Sequence, residues 1–71
     1  MPVTEVRLRR SGDGYVTGTV QGKRASCSWS DAEAVKRLGA KLYGDKLRRV
    51  DCMERYRDQG RLHSRWQILH D

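Results

Sequence analysis

The chain has 71 residues, 37% of them apolar and none of them Phe, so it is read as one small domain over residues 1–71, near the size at which burial alone stabilises a fold. Charged residues make up 34% without long single-residue runs, and 15 Lys and Arg against 9 Asp and Glu leave a net charge of +6, a pattern that excludes a disordered acidic or low-complexity tail. No stretch has the apolar length of a membrane span, and the N-terminus lacks a signal-peptide core, which points to a cytoplasmic protein with no membrane partner.

The first run, "TEVRLRR", alternates apolar and polar side chains and predicts a strand. Ser11-Gly12-Asp13-Gly14 then predicts a tight turn into a second strand, "YVTGTV", and Gln21-Gly22 a turn into a third, "KRASCSW". After Ser30 the apolar positions fall three and four apart. Val35, Leu38 and Leu42, with Ala34 beside them, predict a helix from about Asp31 to Tyr43. Ser30 and Glu33 match a capping box, Asp31 and Glu33 suit the positive helix start, Lys41 suits its end, and Gly44 is the stop.

Residues 46–57 also fit helical spacing, but the alternation of Val50, Cys52 and Tyr56 favours a strand, followed by Asp58-Gln59-Gly60 as a turn into "RLHSRWQIL". The predicted order is β-β-β-α-β-β. This is an α+β fold, with a mainly antiparallel sheet and one helix packed on one face. Glu54 breaks the alternation. A bulge near Met53-Glu54 would resolve it, and so would a strand edge where Glu54 meets an arginine.

Period-2 reasoning sorts side chains onto two faces. The helix-covered face should hold Val6 and Leu8, then Val16, Gly18 and Val20, then Ala25, Cys27 and Trp29, and finally Leu62, Ser64, Trp66 and Ile68. The open face should gather Arg7, Arg9, Tyr15, Arg24, Arg55, Arg57, Arg61, His63, Arg65 and Gln67, interleaved with Thr17, Thr19 and serines. Arginine outnumbers lysine eleven to four, and its planar fork suits phosphates, carboxylates and guanine edges. An anionic partner is therefore expected, nucleic acid first and DNA ahead of RNA. So thin a core also leaves room for a homodimer.

The first 44 residues resemble the AP2 and phage-integrase type of three-strand-plus-helix DNA-binding domain. A strand ending in an aromatic residue leads into an acidic, alanine-bearing helix start, here Trp29, Ser30, Asp31, Ala32, Glu33 and Ala34. The resemblance implies DNA reading by the sheet, with Arg7, Arg9, Tyr15, Thr17 and Arg24 on the reading face; the C-terminal hairpin has no counterpart in that type. In architecture alone the chain is also similar to small phage-encoded inhibitors, anti-CRISPR proteins among them. That likeness implies an acidic surface, or the nucleic-acid channel, of a host protein complex as the partner.

No catalytic signature is present, so a binding protein rather than an enzyme is expected, with no cofactor. Cys27, Cys52, His63 and His70 lack the close spacing of a zinc set, so no metal is expected and both cysteines are expected as buried thiols. Gly12-x-Gly14 precedes no helix and so cannot cradle a phosphate as a dinucleotide loop does.

Overall fold

The computed structural model describes residues 2–57 and 60–71. Five strands, β1 (Val3–Ser11), β2 (Gly14–Thr17), β3 (Ser26–Cys27), β4 (Leu47–Arg55) and β5 (Leu62–His70), form one antiparallel sheet in the order β3-β2-β1-β5-β4. The helix α1 (Asp31–Tyr43) leaves β3 at one edge, crosses one face of the sheet and delivers the chain to β4 at the other edge through a 3-10 turn, Gly44–Lys46. The α+β architecture and element order are those expected. No helix among the described residues is long and apolar enough to cross a membrane.

Local chemistry explains the helix bounds. Ser30 is extended, and its Oγ accepts the Glu33 N–H at 3.3 Å. The Glu33 side chain does not complete the capping box; it turns forward to Arg37, with Oε1 3.8 Å from Nε. Gly44 ends the helix at φ +54°, its N–H donating to Ala40 O. The turn between β2 and β3 is also as expected. Val20 and Lys23 pair, and Gln21 and Gly22 between them take φ of +52° and +78°, the two left-handed residues of a two-residue hairpin loop. Asp58 and Gln59 of the remaining predicted turn lie outside the described residues.

The core is Val6, Leu8, Ala25, Cys27, Ala34, Val35, Leu38, Trp66 and Ile68. Leu8, Val35, Leu38 and Ile68 are fully buried, each stabilising the fold by about 1.5–3 kcal/mol. Two close approaches seat the layers. A Cβ on Gly14 would fall 2.8 Å from Cys27 O, and one on Gly39 would fall 2.8 Å from a Leu47 methyl.

Several faces differ from expectation, for identifiable reasons. The β1–β2 connection is a two-residue turn, with Ser11 opposite Gly14, Arg10 opposite Tyr15 and Leu8 opposite Thr17. Residues directly opposite share a face, so Tyr15 and Thr17 face the helix while Val16 faces solvent, opposite Arg9 and Ser26. Thr17 is buried without penalty because its Oγ1 accepts the Ala25 N–H at 2.9 Å. In β5, Leu8 faces Ser64 but Arg9 faces Leu62, so His63 is the extra residue of a bulge. Leu62 thereby moves to the open face and His63 leaves it.

In β4 the register skips Arg48 and Met53. The second bulge places Glu54 opposite Arg65, so both resolutions of the Glu54 anomaly hold together, and it turns Arg55 to the helix side opposite Ser64. Two further burial expectations fail. Strand β3 ends at Cys27, and the chain bends through Ser28 and Trp29 to reach the N-cap, leaving Trp29 68% exposed. Cys52 shares the helix-side face with Trp66 but sits on the edge strand, so it is exposed while Cys27 is buried.

The two sheet edges are closed differently. Along β3, Arg37 Nη1 donates to Ser26 O at 3.0 Å and Lys41 Nζ donates to Arg24 O at 2.8 Å, so helix cations occupy edge carbonyls. Strand β4 has no such cover among the described residues, but its two bulges interrupt it.

Candidate functional site

The open face is not the arginine sheet that alternation implies. Its rows across β1, β5 and β4 read Val3-Leu69-Arg49, Glu5-Gln67-Asp51 and Arg7-Arg65-Glu54, with Arg9 opposite Leu62 beyond them. Carboxylates are interleaved throughout. Arg65 Nη1 lies 3.4 Å from Glu5 Oε2, and Arg49 Nε lies 3.2 Å from Asp51 Oδ2. Gln67 sits between Glu5 and Asp51. Of the ten expected contact residues, Arg7, Arg9, Arg65 and Gln67 are on this face. Tyr15, Arg55 and His63 are on the helix side, Arg24 precedes β3, and Arg57 and Arg61 flank the β4–β5 connection.

What the topology gathers instead is one end of the sheet. Strands β1 and β4 run in the same direction, so the β1–β2 and β4–β5 connections emerge side by side. Arg10 N donates to Arg61 O at 2.7 Å, locking the two connections together, and Tyr56 N donates to His63 O at 2.9 Å. Arg9, Arg10, Arg57 and Arg61 all lie at this end and are all exposed, Arg9 on the open face and Arg10 on the helix side. Among the described residues, no carboxylate lies within 4.0 Å of any of these four guanidiniums. Arg10 escaped the sequence reading because alternation turned it inward. The available signal was the crowding of arginines around both glycine turns, "RRSGDG" and "RYRDQGR".

Beneath this end lies a polar cluster that joins the sheet to the helix start. Arg55 Nη1 donates to Asp31 Oδ2 at 2.5 Å and its guanidinium carbon stands 5.9 Å from the Trp66 ring centre. Burial alone would raise the Asp31 pKa, but the hydrogen bonds from Arg55 and the Ala32 N–H, with the Arg55 charge, outweigh it and hold the carboxyl below its ordinary value. The same bond raises Arg55.

Ser64 is fully buried. Trp66 Nε1 donates to its Oγ at 2.7 Å, and His63 Nδ1 lies 2.9 Å from that oxygen. The His63 ring also meets Tyr15 edge-on at 5.0 Å. Burial lowers the His63 pKa, and the positive charges of Arg10 and Arg55 lower it further against the opposing pull of Asp31. Ser64 Oγ thus accepts from Trp66 and shares a second hydrogen bond with the His63 ring. That serine oxygen is therefore hydrogen-bonded within the fold and closed to solvent.

Groups of three or more His, Cys, Asp or Glu placed to hold a metal ion are absent among the described residues. What the arginine-lined end can do chemically is bind anions, because its four exposed guanidiniums, without an ion-pair partner among the described residues, present forks of N–H donors to water. No family model matches this chain, and no curated protein or solved structure matches it either.

Proposed function

We propose that this protein binds nucleic acid, with DNA as the first ligand to test, through the sheet end formed by Arg9, Arg10, Arg57 and Arg61. The observation that carries the reading is the Arg10 N–H to Arg61 O bond, which holds two arginine-flanked connections together without a described carboxylate to neutralise them. A lone surface arginine implies nothing about a ligand. Four at one sheet end make a local excess of positive charge that favours a polyanion. Phosphates satisfy such forks bidentately, and a backbone with regularly spaced phosphates engages several at once.

A second reading takes its support from the open face. Alternating cationic and anionic rows, with Val3, Leu62 and Leu69 among them, suit a protein surface better than a polyanion. The protein then acts as an inhibitor on an acidic host partner, in the manner of small phage-encoded anti-CRISPR proteins.

Anisotropy of labelled duplex and single-stranded DNA across about 50–200 mM salt distinguishes the two readings. Neutralising about four phosphates predicts a log–log slope near −3.6 on duplex and near −2.8 on a single strand. The double variant Arg57→Glu/Arg61→Glu changes two exposed side chains and should abolish binding while far-UV circular dichroism stays unchanged. Salt-insensitive binding, or full affinity in that variant, overturns the nucleic-acid reading.

A further inference from the structure

We propose that the preferred ligand is single-stranded rather than duplex nucleic acid, with Trp29 as the platform on which an unpaired base stacks. This inference rests on the nucleic-acid reading above and specifies its substrate.

The argument begins with an apolar side chain out of place. In a chain with no Phe and a thin core, one of only two Trp residues stands 68% exposed. A buried Trp is among the largest single contributors to a small core, so its exposure forgoes that contribution. Trp29 is nonetheless held in position. It sits two residues after Cys27, the end of β3, and directly before Ser30, the N-cap of α1, so the short bend that carries it is anchored at both ends. The Arg37 guanidinium stands 6.0 Å from its ring centre, and Arg37 is itself fixed by Ser26 O and Glu33. A ring with one face near a cation and broad access to solvent is preorganised for stacking.

Its location joins it to the arginine-lined end. A Cβ on Gly14 would fall 2.9 Å from Ser28 Cα, so the residue before Trp29 packs against the start of β2, opposite the end of β1 where Arg9 and Arg10 lie. Following the same end towards the other edge, the chain passes Arg10 and then Arg61, joined by their backbone bond. Trp29 thus stands at the same end of the sheet as the backbone positions of Arg10 and Arg61. On the flank of β3 below it, an open groove of about 730 Å³ runs past Ser28 and Ser26 to Arg24 and Lys41. Duplex DNA keeps its bases stacked on one another and offers no free ring face to Trp29. A single strand offers one at every nucleotide, with phosphates for the arginines.

The second Trp makes the test clean. Trp66 is 4% exposed and its Nε1 is bonded to Ser64, so a ligand that reaches only the surface changes Trp29 emission alone. Oligothymidylate should quench the intrinsic fluorescence of the wild-type protein and leave that of Trp29→Phe unchanged. Trp29→Ala should weaken oligothymidylate binding about tenfold while keeping the salt slope, since no cation is lost; Trp29→Phe should recover most of the affinity. The Arg57→Glu/Arg61→Glu variant, by contrast, should abolish binding of both forms. Duplex affinity should be indifferent to Trp29. Unchanged emission on oligothymidylate, equal affinity in Trp29→Ala, or duplex binding tighter than single-strand binding each overturns the single-strand assignment and leaves the nucleic-acid reading standing. Failure to bind either form overturns both.

Discussion

Replacing Thr17 by Val tests the strand faces on which the position of every arginine depends. Thr17 is 3% exposed and its Oγ1 is the acceptor for the Ala25 N–H at 2.9 Å, while Thr17 N donates to Ala25 O at 2.8 Å. Valine preserves the shape but removes the acceptor, leaving a buried amide without a partner. That costs about 1–3 kcal/mol, offset by somewhat under 1 kcal/mol from burying a methyl in place of a hydroxyl. The net loss is about 1–2 kcal/mol, from a total of roughly 4–10 kcal/mol for a chain of this length. Urea unfolding should show a midpoint lower by about 1–2 M with an unchanged slope, and the melting temperature should drop by roughly 5–15 °C. Thr17→Ser, which keeps the oxygen, should lose much less. Were Thr17 on the solvent face, valine would be neutral or stabilising by strand propensity; a Val variant as stable as the wild type refutes the two-residue-turn register and the faces derived from it.

Arg55→Glu should destabilise rather than selectively abolish binding, because Arg55 caps Asp31 at the helix start. Exposed pairs contribute up to about 1 kcal/mol, so reversal against Asp31 should cost about 1–2 kcal/mol, whereas Arg7→Glu, exposed on the open face opposite Arg65, should leave unfolding nearly unchanged. Thermal melts of the two variants check this. Acidification should also weaken the fold. The His63 pKa lies below its ordinary 6.5 in the folded protein, so the unfolded chain takes up the proton first. Stability is flat above about that value and falls as pH drops through it. Asp31, with its pKa lowered from 3.8, extends the loss at more acid pH, as the carboxylate bonded to Arg55 is protonated. Urea midpoints from about pH 8 to 5 should slope downward in the wild type and flatten in His63→Gln; superimposable profiles contradict the lowered His63 pKa.

The elements that could be read from the residues were those set by local chemistry. The helix follows from one N-cap, one apolar stripe and one glycine, and its bounds match Asp31–Tyr43. The face of β1 was equally readable from Val6 and Leu8. The face of β2 was readable too, but from the wrong cue. Hydropathy favoured Val16 inside, whereas closing a two-residue turn between Ser11 and Gly14 pairs even-numbered residues of β1 with odd-numbered ones of β2. Turn arithmetic outranks hydropathy here because the Ala25 amide satisfies the Thr17 hydroxyl.

The bulges at Arg48, Met53 and His63 had no such cue. A bulge is a relation between two strands, and β5 gains its partners only when β1 and β4 flank it. Those offsets moved Arg55 and His63 to the helix side and scattered the expected arginine face. The charge itself was legible, as were the turns it surrounds. What composition could not reveal was that antiparallel pairing brings two distant arginine-flanked connections into one place.

The interrupted outer strand has a consequence for how the protein behaves when crowded. Between its irregularities at Arg48 and Met53, β4 keeps regular pairing over residues 49–52 only, too short a rung for a neighbour's backbone to zip onto. Molecules lined up along a polymer would stand edge to edge at high local density, the condition under which bare strands knit into fibrils. Here the template is broken twice, so dense packing need not become irreversible.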